Sequence, residues 1–226
     1  MTDELQIVLE VGPKGKKVVA VAPDWPGLTR GAKTGELALQ RLLSYRPRYA
    51  PVAALAGMKA AFTAQTDARV VEEYQGTGST DFWGISFAYS SFDQAVMSSD
   101  DLERDLALMQ ASWAFFDAVR ARVSAELQKG PRGGGRDREA IARHVLFNEA
   151  DWAAGVGVDL PREAIMTDEG LAAHRAAYCA AIREALAAGR QARTWPLHFL
   201  IRHTAYHVLD HAWEMEDKDL TAPLSS

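Results

Sequence analysis

The feature that most restricts the fold is the stretch GPRGGG at 130–135. No regular element runs through it, because clustered glycine carries a high backbone entropy cost and proline lacks the N–H donor. On either side lie segments whose apolar residues recur at helical spacing: DDLERDLALMQASWAFFDAVRARVSAEL (100–127) and GRDREAIARHVLFNEADWAAG (135–155). The first opens on Ser-Ser-Asp-Asp, a helix-capping signal with acidic residues in the first turn. A third helical segment, DEGLAAHRAAYCAAIREALAAG (168–189), stops at Gly189, and a fourth starts at Pro196 and runs to about Asp217. Four amphipathic helices separated by breaks predict an antiparallel four-helix bundle over 99–226.

The first 75 residues have a different texture. LQIVLEV (5–11) and KKVVAVAPD (16–24) read as strands, and Gly12, Pro13 and Gly15 between them supply a hairpin turn. PDWPG is a tight turn, since proline fixes φ and glycine accepts a positive one. A helix is expected after Lys33, another over 51–62 beyond the interruptions at Pro47 and Pro51, and a third strand at ARVVEEYQ (68–75). Residues 76–98 are expected to connect the two parts. GTGSTDFWGISFAYSSFDQ (76–94) has no helical period, and its aromatic residues Phe82, Trp83, Phe87, Tyr89 and Phe92 predict a packed loop between the parts. The fold class is therefore α+β: an α/β domain at 1–75, a connecting loop at 76–98 and a bundle at 99–226.

Composition narrows the function. Lys and Arg number 25 against 30 Asp and Glu, for a formal net charge of −5. Residues 1–50 carry eight Lys/Arg and five Asp/Glu, a local +3 that leaves −8 for the remainder. Nucleic-acid binding calls for clustered positive charge, so no nucleic-acid partner is expected. No apolar run reaches the ~20 residues of a membrane helix, and no membrane partner is expected. With one cysteine, Cys179, an intramolecular disulfide is impossible; the alanine-rich AAYCAAI around it predicts a small core thiol. The acidic start MTDELQIVLE lacks a signal-peptide layout, so a cytoplasmic location is expected.

Half of the six histidines fall in HTAYHVLDH (203–211), spaced by four. At about 100° per residue, Leu197, Ile201, Thr204, Ala205, Val208, Ala212 and Met215 share one arc; His211 lies about 70° from its centre, His207 about 110° and His203 about 150°. An i,i+4 pair can hold one metal ion. His203 and His211 stand about 12 Å apart along the axis, so the three cannot share an ion. The angles favour His207 and His211 as the pair, with His203 and His207 the alternative. Two nitrogens seldom hold zinc well, and His144, on the edge of the second helix's apolar stripe, is the best third ligand; otherwise it is a satisfied core histidine. Asn148 and Asp151 share its side and, with Asp210, are candidates to orient the ligands. His174 and His198 lack such context and are read as surface residues.

The resemblance goes further than the spacing. PRGGGRDREAIARHVLFNEADW (131–152) and AYHVLDHAWEMED (205–217) resemble conserved stretches of the DinB-like superfamily of four-helix-bundle proteins, over about the last 130 residues. That resemblance implies His144, His207 and His211 as ligands of a divalent metal, commonly zinc or nickel. It also implies a thiol-dependent transferase or isomerase acting on a small molecule with a low-molecular-weight thiol as cosubstrate. Better-known members commonly continue the H-x-x-x-H with Arg and Gln, whereas Val208 follows His207 here. VVAVAPDWPGLTRGAKTGELALQRL (18–42) resembles the HicB-type antitoxin fold through Pro23, Asp24, Pro26, Gly27, Gly31, Thr34 and Glu36. The antitoxin's DNA-binding segment has no counterpart, so DNA binding is not implied.

A three-histidine site keeps open positions, as catalytic sites do. The activity expected first is thiol activation; a metal-dependent hydrolase and a non-catalytic metal- or ligand-binding regulator signalling through the N-terminal domain are the alternatives. No catalytic residue is named, and a homodimer is compatible with the sequence.

Overall fold

The computed structural model describes residues 4–131 and 133–221. Residues 1–3 of the acidic start, Arg132 of the glycine-rich break and residues 222–226 at the end of the expected bundle lie outside the described residues. The architecture is mixed α+β. Four strands, β1 (Leu5–Val11), β2 (Val18–Val21), β3 (Thr29–Ala32) and β4 (Ala68–Gln75), form one sheet in the order β3-β2-β1-β4. The helices are α1 (Gly35–Ser44), α2 (Arg46–Leu55), α3 (Lys59–Ala64), α4 (Gly78–Trp83), α5 (Ser91–Gln94), α6 (Ser99–Arg122), α7 (Arg138–Ala153), α8 (Asp168–Ala187) and α9 (Leu197–Asp217). The chain divides into two compact units: Met1–Ser112 with Pro196–Tyr206, and Trp113–Trp195 with His207–Ser226. Two of the three division points fall inside long helices, α6 and α9, and the third lies just before α9.

In the first unit, β1 and β2 form the expected hairpin, while β4 returns parallel to β1 after α1–α3, as a parallel pair requires a crossover. β3 was not foreseen; its TRGA lacks strand-forming residues apart from Thr29, yet it pairs antiparallel with β2. Gly31 is needed there because a Cβ would overlap the Gly84 carbonyl oxygen. The PDWPG turn buries Trp25 against Tyr49 and Phe62. The Trp25 indole donates to Gln65 Oε1 (2.6 Å), the Tyr49 hydroxyl donates to the Pro26 carbonyl (2.8 Å), and Gly27 takes a φ of 96°.

Two expectations are corrected here. The helix expected over 51–62 is instead α2 and α3 broken at Gly57, with Pro47 in the first turn of α2 and Pro51 inside it. A proline in the first turn loses no helical bond, and Pro51's missing donor orphans a carbonyl only near the helix start. The 76–94 segment is not a plain loop. Thr77 with Thr80 and Ser90 with Asp93 form capping boxes that fold α4 and α5. Phe92 packs on the Val8/Val19/Val21 cluster and Phe87 and Tyr89 lie against Phe199, but Phe82 and Trp83 are exposed.

The first unit is held by a buried polar network. Glu10, wholly buried on β1, accepts hydrogen bonds from Thr80 Oγ1 (2.5 Å), Ser86 Oγ (2.6 Å), Tyr74 OH (3.1 Å) and the amides of Phe87 (3.1 Å) and Ala88 (3.2 Å). Arg202 donates to Asp93 through Nε (2.5 Å) and Nη2 (2.8 Å), and to Ser86 Oγ through Nη1 (3.0 Å). A carboxylate satisfied this fully and a bidentate Arg–Asp pair are the conditions under which buried charge is tolerated.

In the second unit, the C-terminal part of α6 faces α8 through Trp113 and Tyr178, and Arg175 on α8 reaches Asp117 Oδ2 on α6 (2.6 Å) and Glu149 Oε1 on α7 (3.3 Å). Arg122 pairs with Glu216 on α9. Cys179 is buried, as its alanine-rich surroundings predict. Among the described residues no helix is long and apolar enough to cross a membrane.

Candidate metal centre

Helix α9 follows Pro196, whose carbonyl accepts the Leu200 amide in the first turn (3.0 Å). Its predicted inner arc is buried throughout, and so are Phe199, Leu200, Leu209 and Trp213 on other sides. His207 and His211 are partly exposed one turn apart, and α7 places His144 opposite them. The ring centroids form a near-equilateral triangle: 5.0 Å from His144 to His207, 4.9 Å from His144 to His211 and 4.7 Å from His207 to His211. The Nε2 atoms of His144 and His207 are 3.2 Å apart, and one nitrogen from each ring lies within 4.8 Å of the other two.

Neighbouring groups set the protonation states. His211 Nδ1 lies 2.7 Å from Glu214 Oε2, and Lys218 Nζ donates to Glu214 Oε1 (2.5 Å). The hydrogen bond from His211 first, then Lys218, holds the Glu214 carboxyl down at about 2 against the opposing effect of burial. The Glu214 carboxylate takes the hydrogen bond at His211 Nδ1, which leaves Nε2 as the ring nitrogen that faces a ligand. Burial, then repulsion from His211 and Arg136, pushes His144 down to about 4. His144 is therefore neutral at ordinary pH, the form in which imidazole binds metal. The Asn148 amide nitrogen donates to the His144 carbonyl (2.8 Å) and lies 3.3 Å from His144 Nδ1. Trp152 meets His207 nearly edge-on, with centroids 5.0 Å apart.

The other sequence candidates fall elsewhere. His203, the alternative ligand, belongs to the first unit and is buried, stacked on Phe199 (5.2 Å, 14°) and edge-on to Phe87 (4.8 Å). Burial, then the Arg202 charge, pushes it down to about 3. Its angular position lies away from the apolar arc, but α9 is covered on that side too. Asp151 is exposed and pairs with Arg162 (2.7 Å). Asp210 is half-buried on α9, and Glu214 supplies a carboxylate to His211. His174 is not a surface residue but buried, with Nε2 3.6 Å from Glu149 Oε1. His198 is also mostly covered, with Nδ1 3.0 Å from Asp105 Oδ2. Glu214 was missed as a site residue, although its i,i+3 spacing from His211 was a usable signal.

No protein-family model matches the chain, and neither a curated protein nor a solved structure is significantly similar to it.

Proposed function

We propose that His144, His207 and His211 hold one divalent cation, zinc or nickel, and that the chain is a DinB-like metal-dependent enzyme that activates a low-molecular-weight thiol for transfer or isomerisation of a small molecule. On this reading α6–α9 form the DinB-type bundle and the N-terminal sheet is HicB-like. The convergence of three imidazole nitrogens carries the proposal. Tetrahedral zinc with bonds of about 2.0–2.1 Å sets neighbouring nitrogens roughly 3.3–3.4 Å apart, close to the 3.2 Å between His144 and His207. With three protein ligands, positions stay open for substrate. When bound, such a cation supplies Lewis acidity that lowers the pKa of a thiol or water.

The chain's own residues fix the donors. Glu214 holds the proton on His211 Nδ1, and Trp152 packs against His207. Asn148 stays tied to the His144 carbonyl through its amide nitrogen, which fixes its side chain beside the His144 ring.

Metal content of tag-free protein tests this, with wild type beside His207→Ala and His211→Ala. About one ion per wild-type chain, lost in both variants, is expected. No retained ion after incubation with zinc or nickel would overturn the metal reading. Metal without thiol-dependent turnover would overturn the catalytic one.

A further inference from the structure

Phe82 and Trp83 are 69% and 67% exposed, an adjacent Phe–Trp pair packed edge to face at 4.5 Å. Large aromatic side chains are rarely left this open, and contiguous exposed ones mark contact sites. The segment bearing them is firmly held. Thr80 is buried and donates to Glu10, and the Asp81 carboxylate accepts the amides of Lys14 (2.7 Å) and Lys16 (2.8 Å) in the β1–β2 turn. Gly12 leaves room for that carboxylate, and Gly31 admits the Gly84 backbone. Lys17 Nζ donates to the Phe82 carbonyl (2.7 Å). The same contacts that anchor α4 therefore hold two aromatic rings outward beside three lysines, of which Lys14 and Lys16 are exposed.

We propose that this tip, the β1–β2 turn with Phe82 and Trp83, docks on an anionic lipid-bilayer surface. Charge complementarity selects the occupant. Lysine is depleted at protein–protein interfaces, whereas tryptophan beside lysine is the composition of segments that lie at a headgroup layer. The lysines attract anionic headgroups, and the rings enter the boundary between headgroups and acyl chains. The lack of an apolar span, on which no membrane partner is expected, bears only on a membrane-crossing helix; a peripheral contact needs none.

The test is cosedimentation of the full chain with vesicles of phosphatidylcholine alone or with roughly one-third phosphatidylglycerol. Binding is expected only to the anionic vesicles, weakening as salt rises. The double variant Lys14→Gln/Lys16→Gln should lose about fivefold in partitioning per lysine. Trp83→Ala should weaken binding further, with an unchanged far-UV circular dichroism spectrum. Wild-type chain that stays in the supernatant at millimolar lipid would overturn the proposal, as would variants that bind like wild type. A wild-type dimer that Trp83→Ala converts to monomer would assign the tip to a second copy of the chain and overturn it as well.

Discussion

Glu149 offers a prediction whose size comes from its surroundings. It sits on α7 with no solvent exposure, beside His174 and Arg175. Burial raises its carboxyl from 4.5 to about 7, although Arg175 and the Trp113 indole pull the other way. Between those values the native state holds a proton that the unfolded chain has released. Stability therefore falls as pH rises through the window. A shift of this size corresponds to about 3 kcal/mol, at 1.36 kcal/mol per unit. Glu149→Gln keeps the shape and cannot ionise, so relative to wild type it should gain about 2–3 kcal/mol between pH 5 and pH 8, the remainder of the shift lying below pH 5. Urea unfolding of both chains at the two pH values, with chelator present so that bound ions add nothing, measures this difference. His174 acts in the opposite sense: burial, then Arg175, lowers its pKa, so stability rises with pH up to its unfolded value. It is common to both chains and largely cancels in the comparison. A pH-independent difference between wild type and Glu149→Gln would refute the reasoning.

Asp93→Asn leaves the Arg202 guanidinium buried without its counter-charge and should cost about 3–5 kcal/mol in the same assay. Burial alone would raise the Asp93 carboxyl, but Arg202 and Ser90 outweigh it and hold it low. Its stabilisation is therefore complete above the unfolded carboxylate value and lost as pH falls through the lower folded one, so Asp93→Asn should flatten the acid limb of the stability profile. Gly31→Ala forces a Cβ against the Gly84 carbonyl and should cost about 1–3 kcal/mol by urea unfolding. Glu214→Gln should weaken zinc binding by about 10–100-fold in a competition titration while leaving the fold intact, and unchanged affinity would remove Glu214 from the centre.

Elements marked by their own apolar residues were legible in the sequence: β1, β2, β4 and the helices from α6 onward, although α6 stops at Arg122 where the pattern predicted a helix to Leu127. What escaped was set by distant partners. Thr29–Ala32 is a strand because β2 lies beside it, and Glu10 looks like an outward-facing acid within LQIVLEV until Thr80, Ser86 and the Phe87 and Ala88 amides close over it. The same division runs through the histidines. Helical angles ranked His207 and His211 nearer the apolar arc than His203, and the structure groups those two with His144. The angles could not say what covers the far side of α9, so His203 was turned outward when Phe87 and Phe199 enclose it; likewise, nothing near His174 in sequence announces Glu149 on another helix. Angular position on a helix is a local property, whereas burial depends on which other segment arrives. A histidine's candidacy as a ligand therefore rests less on its own helix than on a second helix delivering a nitrogen to the same point, and here α7 delivers His144 Nε2 to within 3.2 Å of His207 Nε2.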